Sequence, residues 1–271
     1  MNATDKPVSA PKGFPSDGQG VGGPVPCGCP PKRSCRCLHQ RSADKRNWTP
    51  GRVPWQPGFD PSKKYPLVPE IHGGPFANYG PRWSAEMQAY AAAGYVVVYA
   101  NPRGSTSYGA DFGNLIHHNY PGNVYDDLMS VLTAWIVGKT DRFRAAVVAK
   151  PVINWTSFAL TADSTPYYTQ YWFPAFPWEA QEHYWKRSPL SLVGNVKTPT
   201  MLLTGEADYR TPMSETEQYY QALKLRRVDT AMVRIPEASH GMASRPTQLI
   251  GKTLNILAWF EKYRTRADKV S

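Results

Sequence analysis

The stretch from Thr200 to Gly241, TMLLTGEADYRTPMSETEQYYQALKLRRVDTAMVRIPEASHG, constrains the fold more than any other, because it sets an acid and a base at the ends of two successive expected strands. Met201 to Thr204 is a short apolar run stopped at Gly205, with Asp208 in the loop beyond. Ala231 to Ile235 is a second run, stopped at Pro236, with His240 after it. Between them Thr211-Pro212-Met213-Ser214, followed by Glu215 and Glu217, opens a helix, with proline and acids where a helix start accepts them. Strand, Asp loop, helix, strand and His loop put both groups on one rim of a sheet. That is the second half of a hydrolytic charge-relay site, in which the carboxylate fixes the imidazole tautomer and the imidazole moves the proton.

TGEADYRTP and EASHG are preceded by IHGGP at 71–75 and YANPRGSTSYG at 99–109. Together these four motifs, in this order, resemble the C-terminal α/β-hydrolase domain of prolyl oligopeptidase-family serine peptidases, with the acylaminoacyl-peptidase and dipeptidyl-peptidase-like branch the closest. The similarity covers about residues 58 to 266. It implies an α/β fold over 58–271, a three-layer sandwich with a mostly parallel sheet, and a chain order of nucleophile, Asp, His. It further implies that Asp208 and His240 are catalytic, that short peptides are the substrates, and that an acyl-enzyme on serine is the intermediate. No cofactor and no metal enter that chemistry. His72-Gly73-Gly74-Pro75 follows an expected strand over Tyr65 to Ile71, and its glycines Gly73 and Gly74 let backbone N–H groups approach a developing oxyanion. Pro69 inside that strand removes a ladder donor from what should be an interior position.

The order of elements continues with a helix from Pro81 to Ala93 closed by Gly94 and a continuously apolar strand from Tyr95 to Ala100. The strand ends in Asn101-Pro102-Arg103-Gly104-Ser105, where Arg103 could lend positive potential to the site or anchor a helix. His117 and His118 are adjacent and have no second ligand at metal spacing, so they read as structural or exposed. Residues 155–185 are dense in aromatic side chains. Most of these rings read as packing; Trp155 and Phe158, just after an expected strand at Arg144 to Ala149, are the pair the resemblance places in a substrate pocket. Lys252 to Tyr263 reads as a closing amphipathic helix.

What the chain lacks is the nucleophile. Val124 to Lys139, VYDDLMSVLTAWIVGK, carries apolar residues at 128, 131, 132, 135 and 136 and reads as one uninterrupted amphipathic helix. The family would place a helix end, a central strand, the elbow G-x-S-x-G and a helix start here. The sequence instead resembles the first helix joined to the second at about Ser130-Val131, and no G-x-S-x-G occurs anywhere in the chain. The expected sheet therefore lacks one central strand, and its strands at 95–100 and 144–149 are expected in one sheet, the later strand free to slide into the vacant slot. Ser130 would lie mid-helix and Ser239 is too close to His240 in sequence, while Ser105 and Ser107 sit on a strand-end loop nearer the expected rim; a replacement nucleophile among them would need hydrogen-bond reach to the His and an oxyanion donor together.

Residues 1–57 form a different region. Through residue 58 the chain has ten of its 26 prolines, eight of its 21 glycines, and nine Lys/Arg against three Asp/Glu, so most of the net +10 charge belongs here. Such a composition buries too little apolar surface to offset ordering entropy, and a disordered tail is expected. All four cysteines lie in it, as CGC at 27–29 and CRC at 35–37, without the C-x₂₋₄-C spacing of structural zinc modules. Lys32, Arg33, Arg36, Arg41, Lys45 and Arg46 have one neighbouring aromatic, Trp48, so a solvated cationic segment is expected and nucleic-acid binding is not. No apolar run is long enough to span a bilayer and Met1 to Gly20 has no signal-like apolar core, which gives the expectation of a cytoplasmic protein without membrane contact. Two functions stand against each other: a serine peptidase, inactive or strongly impaired for want of its serine, and a non-catalytic hydrolase-fold binding protein acting through its cationic, Cys-containing tail.

Overall fold

The computed structural model describes residues 59–60, 62–73, 77–80, 83–99, 101–118 and 133–264, all within the unit Arg36–Ser271. The expected tail, Gly74, and the part of the expected helix before Thr133 lie outside the described residues. In chain order the elements are β1 (Leu67–Glu70), α1 (Ala85–Ala92), β2 (Val96–Tyr99), α2 (Ala110–Asn114), α3 (Thr133–Val137), β3 (Ala146–Ala149), α4 (Trp155–Thr161), α5 (Thr165–Tyr171) and α6 (Gln181–Arg187). A 3₁₀ turn at Pro189–Asn195 leads to β4 (Thr200–Gly205), α7 (Met213–Leu225), β5 (Thr230–Ile235) and α8 (Pro246–Arg264). Strands alternate with helices, every described strand pairing is parallel, and the architecture is that of an α/β-hydrolase sandwich.

Local chemistry sets the helix limits. Ser84 caps α1 by accepting from the Met87 N–H, and Gly94, at φ 91°, ends it in the left-handed conformation that glycine takes without strain. The last helix begins earlier than the apolar spacing suggests. Pro246 occupies its first position and the Gln248 side chain accepts from the Arg245 N–H at 3.2 Å, one half of a capping box, and α8 begins about a turn and a half before the expected Lys252.

Strand β4 is buried along its whole length, flanked by β3 and β5. Its side chains alternate between two helical layers. Met201 and Leu203 pack with Met87 and Tyr90 of α1, Val97 of β2 and Ile256 and Trp259 of α8. Leu202 faces the opposite layer, with Ala134 and Val137 of α3 and Tyr219 and Leu223 of α7. A third cluster, built on Trp155, Phe158, Tyr168, Trp172, Phe173 and Tyr184, joins α4, α5 and α6.

Among the described residues the strands do not form one sheet. β1 and β2 make one pair, and β3, β4 and β5 make a separate three-stranded sheet. The expectation that strands 95–100 and 144–149 share a sheet is therefore corrected: β3 has not moved across to meet the first pair. Its register with β4, Ala146 on Thr200 through Ala149 on Leu203, fixes it. The shared apolar layer of α1, β2, β4, β5 and α8 holds the two sheets in one core without a ladder between them. Pro69 is accommodated in this arrangement. The Val96 N–H donates to the Pro66 carbonyl at 2.9 Å, and the alternation of a parallel ladder then turns residues 67 and 69 to the edge away from β2. The missing donor is absent from that far edge, not from the β1–β2 ladder.

Candidate active site

The acid and the base meet because two loops are stitched together beyond the ends of β4 and β5. The Glu206 N–H donates to the Ile235 carbonyl and the Ala207 N–H to the Ala238 carbonyl, each at 3.0 Å. Gly205 makes this possible. A Cβ there would stand 2.2 Å from the Ala238 oxygen and 2.9 Å from the Ser239 oxygen, both backbone atoms, so only glycine permits the approach.

Asp208, 3% exposed, follows in the resulting turn. Its Oδ1 accepts from the Arg210 N–H at 3.0 Å and the Thr211 N–H at 2.9 Å, and its Oδ2 accepts from the Thr211 hydroxyl at 3.0 Å. The imidazole of His240 completes the set, Nδ1 lying 2.9 Å from Oδ2 and 3.1 Å from Oδ1. Burial opposes ionisation of this carboxyl, but the hydrogen bonds from His240 and Thr211 outweigh it and hold Asp208 below its ordinary value. A carboxylate only accepts, so in neutral His240 the proton sits on Nδ1 and the Nε2 lone pair is left for chemistry. The His240 side chain is 44% exposed while that of Asp208 is sealed, and no described residue hydrogen-bonds Nε2.

Thr211 and Arg210 are members of this constellation that the sequence reading passed over. Arg210 also clamps Asp163 with two hydrogen bonds, at 2.6 and 3.3 Å, and the Asp163 N–H donates to the Tyr209 carbonyl, tying the Asp loop to the turn between α4 and α5. The signal was the Asp-x-x-Thr spacing ahead of a helix, the pattern of a side chain capping its own turn.

On the first sheet, His72 and Gly73 follow β1, and Gly74 lies outside the described residues. The Ser105 hydroxyl meets His72 Nε2 at 3.3 Å, and Asn101, buried at the end of β2, accepts from the Tyr79 N–H at 2.7 Å and donates to the Tyr79 carbonyl at 3.1 Å. The strand-end loop of β2 thus holds the segment after the glycines. Burial pushes the His72 imidazole below its ordinary value, against hydrogen bonds with Asn101 and Gly73 that raise it, which keeps the ring neutral near pH 7. Arg103 is half-buried in the same loop. His117 and His118 stack on one another at 4.0 Å on an exposed turn.

Trp155 and Phe158 do not wall a pocket. Each is 1% exposed, with Trp155 packed edge-to-face against Phe158 at 5.3 Å and Trp172 at 5.7 Å, so the rings expected to line a substrate cavity are core. The reason is a buried carboxylate. Glu215, at the start of α7, accepts from the N–H groups of Ile153 and Asn154 at 2.8 Å each and from Ser157, which turns the chain after β3 and directs Trp155 inward. Among the described residues no group of three or more His, Cys, Asp or Glu side chains could hold a metal ion, and no helix is long and apolar enough to cross a membrane.

The sequence model of the prolyl oligopeptidase family matches residues 81–136 and 130–266. An uncharacterized peptidase of Bacillus subtilis, YuxL, is 38% identical over 227 residues, covering 73% of this chain and 35% of that protein. Dipeptidyl-peptidase 5 of Aspergillus fumigatus is 28% identical, covering 76% of this chain and 32% of that protein. The chain thus spans about a third of the length of these relatives. Among solved structures, the acylaminoacyl peptidase of Pyrococcus horikoshii superposes with a TM-score of 0.73 at 25% identity, covering 79% of this chain and 39% of that one. Motifs, strand-end geometry and these matches agree: the chain belongs to the prolyl oligopeptidase family and has its α/β-hydrolase fold.

Proposed function

We propose that this chain is the hydrolase domain of a serine peptidase acting on short peptides, in which the Asp208–His240 relay persists while acyl-enzyme chemistry is lost or strongly impaired. The observation that carries the reading is the absence of any G-x-S-x-G from the sequence. That the family matches in two pieces, which meet and overlap at residues 130–136 where the elbow segment would be expected, supports it. The separation of β1–β2 from β3–β4–β5 is what the loss of that strand would leave.

In this reading Asp208 holds the His240 tautomer, His240 is the base, and Gly73 and Gly74 supply oxyanion donors. The elbow takes with it both the serine and the backbone N–H that follows it in the family, so half of the oxyanion hole goes too. Members of such a triad act as a unit, and removing one forfeits most of the rate. The relatives named dipeptidyl-peptidase and acylaminoacyl peptidase support peptide substrates. Purified protein assayed on aminoacyl and dipeptidyl p-nitroanilides is expected to show no turnover that serine-directed inhibitors abolish. Inhibitor-sensitive turnover that disappears in His240→Ala would establish a substitute serine and overturn the proposal.

A further inference from the structure

The relay as folded is a base without an assigned partner. Nδ1 of His240 is engaged by both oxygens of Asp208, with the Thr211 hydroxyl at 3.4 Å, while the other ring nitrogen belongs to a side chain 44% exposed to solvent. The orienting carboxylate is itself held by three further donors, which fix its two oxygens in place to receive the Nδ1 proton of the imidazole. In the intact family such a base takes its proton from serine. Here the side chain that carries Nε2 is 44% exposed, within reach of solvent.

We propose that the Asp208–His240 pair acts as a general base on water and hydrolyses activated esters of small acids directly, with no acyl-enzyme. The inference rests on the reading that the chain has no activated serine. His240 Nε2 takes a proton from water while the water oxygen bonds to the ester carbonyl carbon. The tetrahedral adduct collapses with cleavage of the carbon–oxygen bond to the leaving group, whose electron pair departs as a phenolate, and the imidazolium returns its proton to solvent. The products are one carboxylic acid and one phenol, and water is the sole co-reactant. Esters with good leaving groups are the fitting class, because the lost elbow removes transition-state stabilisation that amides need and phenyl esters need far less.

The test is hydrolysis of p-nitrophenyl acetate by the full chain, alone and after incubation with a fluorophosphonate. The expected rate shows a solvent deuterium isotope effect and is unchanged by the fluorophosphonate. His240→Ala is expected to lower it about a hundredfold or more, and Asp208→Asn about tenfold or more, since the carboxamide stabilises the wrong tautomer. A mass adduct of one acetyl group during turnover would mean a covalent intermediate and would overturn the inference. So would a rate unchanged in His240→Ala, measured on a variant whose circular dichroism matches the parent. The unchanged His240→Ala rate leaves the reading of an absent serine standing, an acetyl adduct mapped to a serine or fluorophosphonate inhibition removes both, and an adduct mapped to any other residue removes the inference alone.

Discussion

The relay depends on one hydrogen atom where other residues carry a Cβ. With backbone oxygens of Ala238 and Ser239 packed against Gly205, a methyl group there must push the His loop away from the Asp loop. Gly205→Ala is expected to destabilise the protein by about 2 kcal/mol through overpacking and to abolish the low-field Nδ1 proton signal of His240 in NMR spectra; a parent-like signal would show that the loop yields elsewhere. Asp208 makes the second residue-scale prediction. Its folded value lies below the unfolded 3.8, so the stability it contributes is present above that pH and is lost as pH falls through the folded value. Chemical denaturation between pH 5 and 2 should show this loss in the parent, and Asp208→Asn should lack that component; equal slopes would mean that the carboxylate is not held as described.

At the scale of elements, Glu215 decides how the chain leaves β3. It is fully buried, and removing it strands the N–H groups of Ile153 and Asn154. Glu215→Ala should cost about 3 kcal/mol, read from the denaturation midpoint, and should expose Trp155, visible as a red shift of tryptophan emission; a midpoint within experimental error of the parent would show that the turn after β3 does not need it. This contact explains what the sequence could and could not say. Asp208 and His240 were legible because each closes an apolar run at a strand end, a pattern that depends on neighbours along the chain. Glu215 looked like an ordinary acid near a helix start, since its partners lie some 60 residues away in sequence. Trp155 and Phe158 were misplaced for the same reason: aromatic residues after a strand fit a pocket wall and a core equally well until the buried carboxylate fixes their direction. The start of α8 escaped because its cap is the pair Arg245 and Gln248, not a serine or aspartate.

For the whole molecule, the two sheets are held by an apolar layer on one side and by a buried polar group beside it. Lys252 of α8 pairs with Glu86 of α1 at 2.7 Å, both side chains largely buried, and the Tyr90 hydroxyl donates to the same carboxylate at 2.6 Å. Glu70, at the end of β1, faces this cluster. Burial and the neighbouring Glu86 carboxylate push it up to about 7, against Lys252, Lys150 and a hydrogen bond with Tyr79. Because the folded value is raised above the unfolded 4.5, Glu70 stabilises fully below pH 4.5, and that contribution is lost as pH rises to about 7. Glu70→Gln should remove the loss and be more stable than the parent at pH 8 by on the order of 2 kcal/mol, while a parent with no stability change between pH 5 and 7.5 would contradict the burial described. The split sheet itself was half legible. A missing strand follows from a missing elbow, but whether β3 closes the gap depends on side-chain layers that no local pattern reveals. The central proposal is a serine-peptidase relay in a fold without its serine, and the most direct measurement is the intact mass of the full chain after prolonged incubation with a fluorophosphonate. The account predicts the unmodified mass. An adduct of one phosphonyl group, absent in His240→Ala, would show an activated serine and contradict it.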